Sequence, residues 1–201
     1  MIVDLSDADD MSFNGFSIGY AKGFSVSNDM PLFIETGAHV TYGTNTLDSE
    51  DLESLEINNY KLEQKTTILN LNIPVNLAYK FSVESKKLSI IPYVGINFKG
   101  NIIGKSKLNL VDGLDSDDIT EKKFWEYAED SYGIKQEKNN FDKKDTGSKD
   151  SQWKRFQMGW QIGVGINYNK LYVGVSYGKD ITELCKKTKL STTSITLGYN
   201  F

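Results

Sequence analysis

Four titratable side chains lie within segments of the chain that alternate between apolar and small polar residues. Glu35, His39, Lys80 and Lys99 all fall on the polar side of this alternation, among Gly, Ser, Asn, Thr, Gln and Ala. Successive side chains of a β-strand point to opposite faces, so the four are predicted to share one face. A charge in a narrow protein interior is costly unless it is paired. The sequence therefore predicts an interior ion-pair cluster, with Glu35 between Lys80 and Lys99 and with His39 beside Glu35.

Other polar residues give weak grounds for catalysis or metal binding. His39 is the single histidine, and an enzyme acting on lipids would need a nucleophile and a base on a face that its substrate can reach. No serine elbow accompanies it in the sequence, so no catalytic residue is predicted. The acids Asp112, Asp115, Asp117 and Asp118 do not match the spacing of an EF-hand. No metal and no cofactor are predicted either.

The stretch 106–152 is the longest segment without alternation, and it is dense in acidic and basic residues. Loops of this length are usually functional or disordered. Phe124, Trp125 and Tyr127 give this one large apolar side chains, so they form the candidate site for binding an outside partner. Nucleic acid is not the expected partner, because a net charge of -4 and a pI near 5.1 leave no basic footprint.

Seven long alternating segments are the elements that must position these residues. In the clearest, 156–169, large apolar residues alternate with Gln, Gly and Asn throughout. Soluble strands usually have roughly 5–6 residues, whereas a tilted membrane strand needs about 9–11. Short connections at 27–31, 84–87 and 169–170 alternate with long loops at about 44–65, 106–152 and 179–189. The other six segments begin near Phe13, Leu32, Thr67, Leu88, Leu171 and Leu190.

The polar faces of these segments carry almost no charge, which decides how the segments are oriented. A water-facing surface of this kind would be poorly soluble, whereas small residues with a few charges suit the interior of an eight-stranded barrel. Aromatic residues of the apolar faces gather toward both ends, as in the two interfacial belts of a membrane barrel. The apolar faces, which include Ile162, are therefore predicted to meet lipid. The alternative is a soluble lipocalin-like barrel that buries the same faces around a small apolar ligand.

The strand count predicts one more strand at the start of the chain. Bacterial membrane barrels made from one chain usually have an even number of strands, so an eighth strand must precede the one at Phe13. Met1 to Leu5 is in the right place but is too short to span, so the first strand is predicted to be truncated, with upstream residues missing. Pro74 and Pro92 each remove a ladder hydrogen bond inside a predicted strand. A local bulge is therefore predicted at both prolines.

Several short motifs resemble those of a known family. They are Leu71-Asn72-Ile73-Pro74-Val75, Pro92-Tyr93-Val94-Gly95, Tyr177-Gly178 and the terminal Leu197-Gly198-Tyr199-Asn200-Phe201. Together with the alternation, they make the chain similar to small outer-membrane β-barrels of the OmpA/OmpX type. More narrowly, it resembles the porin-family outer-membrane β-barrel domain proteins common in Bacteroidetes. This resemblance implies an all-β fold, an eight-stranded antiparallel up-and-down transmembrane barrel, as a single domain over residues 1–201.

The resemblance also implies a location and partners. The expected location is the bacterial outer membrane, where lipid and lipopolysaccharide surround the barrel. Ile195, Leu197, Tyr199 and Phe201 resemble the C-terminal signal that the outer-membrane assembly machinery reads. The implied role is structural, or the binding of an unknown extracellular partner through the outer loops. The interior is expected to be closed or nearly so, since open channels come with about 16–18 strands. A further alternative is an outer-membrane enzyme that modifies lipids.

Overall fold

The computed structural model describes residues 1–8, 11–47, 61–83, 87–112 and 121–200. Most of them form β-strands, in agreement with the two-residue alternation of the sequence. The elements in chain order are β1 (Ile2–Ala8), β2 (Met11–Ser25), β3 (Leu32–Leu47), β4 (Lys61–Tyr79), β5 (Phe81–Val83), β6 (Leu88–Asp112), α1 (Glu121–Tyr132), β7 (Glu137–Asn139), α2 (Lys143–Thr146), β8 (Phe156–Tyr168), β9 (Leu171–Asp180) and β10 (Ser191–Tyr199).

The sheet closes on itself as an antiparallel barrel of eight strands. The order around the barrel is β1, β2, β3, β4, β6, β8, β9 and β10, and β10 pairs with β1. The short β5 continues β4 after a break at Lys80 and pairs with the same neighbour, β6. The predicted eighth strand is β1, which extends past Leu5 and pairs with both β2 and β10. The up-and-down, eight-stranded architecture is confirmed.

The apolar faces of the strands point outward. On β8, Phe156, Ile162, Val164, Ile166 and Tyr168 are all exposed, while the alternate residues are buried or half-buried. The other strands repeat this pattern, so the outer surface is a band of apolar side chains and the interior is polar. This arrangement excludes the lipocalin-like alternative, in which the apolar faces would line the inside. Within the described residues, no helix has the length and apolarity to cross a membrane.

The two strand prolines interrupt pairing without producing the predicted bulges. The β3–β4 register is the same on both sides of Pro74 and skips two positions between Thr36 and His39. The Thr36 hydroxyl compensates by donating to the Pro74 carbonyl at 2.8 Å. Pro92 keeps its register with β8 and lies opposite the β4–β5 break. The bulge prediction is therefore wrong, because each proline lies where the neighbouring strand already lacks a ladder bond.

The strands run further into the long loops than the alternation predicted. Residues 44–47, 61–65 and 106–112 were assigned to loops, and they belong to β3, β4 and β6. The 106–152 stretch also contains regular structure, since α1, β7 and α2 lie within it. β6 contains the one register shift within the body of the barrel wall that the described residues show, where Ile102 and Ile103 together face Leu69.

Candidate functional site

The interior carries its charge in a hydrogen-bonded layer near the long-loop end of the barrel. The Lys99 ammonium donates to Asp180 Oδ1 at 2.7 Å, and both side chains are nearly inaccessible, at 12% and 2% exposure. The Gln157 amide donates to Asp180 Oδ2 at 2.8 Å, and the Asn101 amide donates to Gln157 Oε1 at 3.0 Å. Strands β6, β8 and β9 meet in this layer. Both carboxylate oxygens of Asp180 are paired, which is what a charge in a narrow interior requires.

The structure does not bring the four predicted residues into one ion-pair cluster. Lys99 uses Asp180 as its counter-ion, because Asp180 ends β9 at the same height while Glu35 lies nearer the short turns. Glu35 instead accepts a 3.3 Å hydrogen bond from the Asn76 amide. Lys80 lies at the break between β4 and β5, where its backbone N–H donates to the carbonyl of Pro31. No ion pair within the described ranges joins either lysine to Glu35.

A second polar layer surrounds a carboxylate that sequence reasoning missed. Asp4 of β1 is buried and accepts hydrogen bonds from the hydroxyls of Ser17 and Ser194. The Thr41 hydroxyl forms a hydrogen bond with the Ser17 hydroxyl, and it accepts a second one from the Asn72 amide at 2.8 Å. Asp4 was not among the residues predicted to face the interior. The parity of β1 places it inside, and that parity becomes readable once Asp4 is paired with Gly15 and Ser194.

His39 lies on the inward face of β3, half-buried and opposite Gly19. In the described part of the chain it has no hydroxyl or carboxylate within hydrogen-bond distance. A nucleophile and its base must normally be within about 2.6–3.2 Å of one another. The geometry around His39 therefore does not assemble a nucleophilic dyad, although it faces the same cavity as Asp4.

The barrel interior holds a cavity of about 780 Å³, and residues of both polar layers form part of its wall. Its wall combines amides and hydroxyls with apolar groups, and Tyr93 and Tyr172 contribute aromatic rings. The two rings occupy space left by glycines: a Cβ at Gly163 would collide with Tyr93, and one at Gly165 would collide with Tyr172. Both tyrosines line the interior, and the glycines beside their rings explain how rings of this size fit inside eight strands.

Apolar side chains close the long-loop end of the interior. We call this group the cap. Two members are inward-facing strand residues and the others come from the loops before β8 and β10: Phe13, Ile68, Phe141, Trp153, Leu184 and Leu190. The Trp153 ring meets Phe13 and Phe141 edge to face, at centroid distances of 6.4 and 6.3 Å. Ile68 and Leu190 also line the cavity, so the cap forms its ceiling.

The helix α1 covers a second apolar cluster outside the barrel interior. Phe124 and Trp125, with 4% and 6% exposure, pack with Ala128 against Leu62 of β4 and Leu108 of β6. These two aromatics were predicted to contact a partner, and the structure buries them instead because they hold α1 on the sheet. Tyr127 is 55% exposed and its ring meets that of Tyr132 edge to face.

The remaining predicted residues are placed as follows. Ile195, Leu197 and Tyr199 lie exposed on the outward face of β10, while Phe201 lies outside the described residues. Asp115, Asp117 and Asp118 also lie outside them. Among the residues that are described, no three His, Cys, Asp or Glu side chains are grouped to hold a metal ion.

Comparison with known proteins gives one family match. The family model described as "Outer membrane protein beta-barrel domain" matches residues 2–179. Comparison with curated proteins gives no match. The solved structures that are similar include the outer membrane enzyme PagL, at 12% identity and a TM-score of 0.42, with 100% of this chain and 98% of that chain covered.

Two further solved structures are similar to this chain. Ail, the attachment invasion locus protein of Yersinia pestis, has 11% identity and a TM-score of 0.33, with 100% of this chain and 98% of that chain covered. Neisserial surface protein A has 11% identity and a TM-score of 0.30, with 100% and 97% covered.

Proposed function

Because the chain belongs to the family of outer membrane proteins with a β-barrel domain and lies in the bacterial outer membrane, we propose that it is a closed, non-enzymatic barrel that acts through its extracellular loops. In this proposal the barrel anchors and orients the long loops, and a partner outside the cell contacts them. The exposed Tyr127–Tyr132 pair on α1 is the surface we assign to that contact.

The cap is the observation that carries this proposal. An eight-stranded barrel has an interior just wide enough for side chains to fill, and here the long-loop end is filled by apolar side chains packed against one another. The Lys99–Asp180 ion pair lies beneath the cap, and both oxygens of Asp180 are hydrogen-bonded. The cap therefore separates the cavity from the long-loop end, and the Lys99–Asp180 layer forms part of the cavity wall beneath it.

The position of His39 supports the non-enzymatic part of the proposal. A lipid substrate would lie against the outward, apolar faces of the strands, whereas His39 faces the interior. An enzyme acting on lipid would need its base on the outward side.

Conductance across a planar lipid bilayer tests the closed interior. The parent chain should give no steady conductance, whereas Phe141→Ala/Trp153→Ala, which removes two rings of the cap, should conduct. Removing each ring should also cost about 3–5 kcal/mol of folding stability. Trp125→Ala is the matched control, since it removes a buried ring from the α1 cluster and leaves the cap intact. Steady conductance by the parent chain would overturn the proposal.

A further inference from the structure

The outward surface of β3, β4 and β6 changes character over two successive cross-strand rows. In the first row, Tyr42, Leu69 and Ile103 are neighbours and continue the apolar band. The next row toward the long loops holds Thr44, Thr67 and Lys105. Since a membrane barrel presents an apolar band about 25 Å tall between its two interfaces, this change marks the outer interface of the membrane on these strands.

The third row adds two more lysines directly above that interface. Lys65 and Lys107 are cross-strand partners, and Lys105 lies two residues before Lys107 on the same face of β6. Partners in an antiparallel pair have Cβ atoms about 4.5–5.5 Å apart, and diagonal neighbours about 7–8 Å. We call these three side chains the lysine patch. All three are exposed, and they point the same way as the apolar band below them.

The lysine patch has unbalanced charge in the folded chain. Like charges directly opposite each other on two strands are destabilising. On the same face, Glu63 lies one row farther from the membrane than Lys65, and Glu137 of β7 lies directly opposite Lys107. Neither comes within ion-pair distance of the three lysines, and no other carboxylate in the described ranges does so. The row nearest the membrane, which holds Thr44, Thr67 and Lys105, therefore carries a positive charge and no carboxylate.

We propose that the lysine patch binds the phosphate groups of a lipid in the outer leaflet of the membrane. The patch lies at the height of the headgroups, faces laterally into the leaflet rather than upward into the medium, and has the charge opposite to phosphate. Lysines near a membrane surface contribute favourably to binding anionic lipid. This inference rests on the outer-membrane placement of the proposed function and is independent of whether the interior is closed.

The test measures binding of bisphosphorylated lipid A to the full chain refolded in a neutral detergent, followed as the shift in its thermal unfolding midpoint. Dephosphorylated lipid A is the companion ligand and should give no comparable shift. In Lys65→Ser/Lys105→Ser/Lys107→Ser, the affinity for bisphosphorylated lipid A should fall about 100-fold, since each lysine contributes roughly fivefold. Lys123→Ser/Lys143→Ser/Lys149→Ser is the matched control, because it removes equal charge from exposed positions in the loop before β8. The affinity of this control should be unchanged.

A second readout separates binding from folding. Without lipid, the patch variant should be at least as stable as the parent, because like charges have been removed; with bisphosphorylated lipid A the parent should become the more stable. Equal lipid affinity in parent and patch variant would overturn the inference, as would equal losses in the patch and control variants. Binding of dextran sulfate by the patch, without binding of lipid A, would assign it to a soluble polyanion instead. Conductance is measured on other variants, so either proposal can fail alone.

Discussion

The interior depends on one buried ion pair at the residue scale. Lys99 and Asp180 come from strands that do not pair with each other, and they meet at 2.7 Å over the intervening strand β8. Burying either charge alone is expensive, and a buried pair repays its desolvation only when the remaining lone pairs are also bonded. Gln157 supplies that bond to the second carboxylate oxygen. Asp180 is therefore the residue whose loss should cost most.

We expect Asp180→Asn to destabilise the barrel by about 3 kcal/mol, because Lys99 would keep its charge without a counter-ion. Unfolding in urea, with the protein in lipid vesicles and monitored by tryptophan fluorescence, measures the change. Glu35→Gln is the control, since it weakens one 3.3 Å hydrogen bond and should cost less than about 1.5 kcal/mol. Should Glu35→Gln cost as much as Asp180→Asn, Glu35 would be a counter-ion after all. Lys99→Met/Asp180→Leu should recover most of the loss, as replacing both charges often does.

Sequence reasoning reached the orientation of these residues but not their partners. The alternation placed Glu35, His39 and Lys99 on the inward face, because orientation follows from parity alone. The partner of Lys99 depends on which strand ends lie at the same height, and that is set by register around the closed barrel. Asp180 was assigned to a loop because β9 ends there, and the amides of Gln157 and Asn101 carry no charge that would draw attention to them.

At the scale of elements, each barrel strand is a two-sided structure whose outer side is suited to hydrocarbon. β8 shows this most clearly, since all its outward residues between Phe156 and Tyr168 are apolar and Ile162 lies midway between its ends. Such faces could be predicted from sequence because period two is the signature of a strand. α1 could not be predicted, because only three of its twelve residues are buried and the sequence around it is irregular and highly charged.

Ile162→Arg should cost about 2–4 kcal/mol, because it places a charge on the lipid face at the midplane. Thr67→Arg, on the same outward face at the outer interface, should cost about 0–1 kcal/mol. Refolding yield into lipid vesicles, followed by urea unfolding, measures both. A cost for Thr67→Arg equal to that for Ile162→Arg would contradict the position assigned to the interface.

At the scale of the whole molecule, the two ends of the barrel are built differently. The connections at 26–31 and 169–170 are short turns, whereas the opposite end carries the cap, two helices and a strand extension formed by β4, β6 and β7. Bacterial outer-membrane barrels place their long loops outside the cell and their short turns in the periplasm. The loops before β8 and β10 are joined by backbone bonds such as Lys154 N–H to the Leu184 carbonyl at 2.7 Å.

Labelling of intact cells with a membrane-impermeant maleimide tests this orientation. In a Cys185→Ser background, which removes the native thiol, Tyr127→Cys should react because Tyr127 is exposed on α1. Asn28→Cys, in the turn between β2 and β3, should react after the cells are lysed but not before. The reverse pattern would contradict the assignment of the long loops to the outside.

The register shift at Ile102 determines which of the later residues of β6 face inward. Before it, odd-numbered residues such as Lys99 and Asn101 face inward; after it, even-numbered ones such as Gly104 and Leu108 do. Without this extra residue, Lys105 and Lys107 would point beneath α1 and Leu108 would point into water. Deleting or inserting one residue between Lys99 and Lys105 would therefore exchange the apolar and the charged faces of the protruding part of the sheet. Loop tips generally tolerate changes in length. In this short span, by contrast, a change in length alters the face on which every later residue of the strand lies.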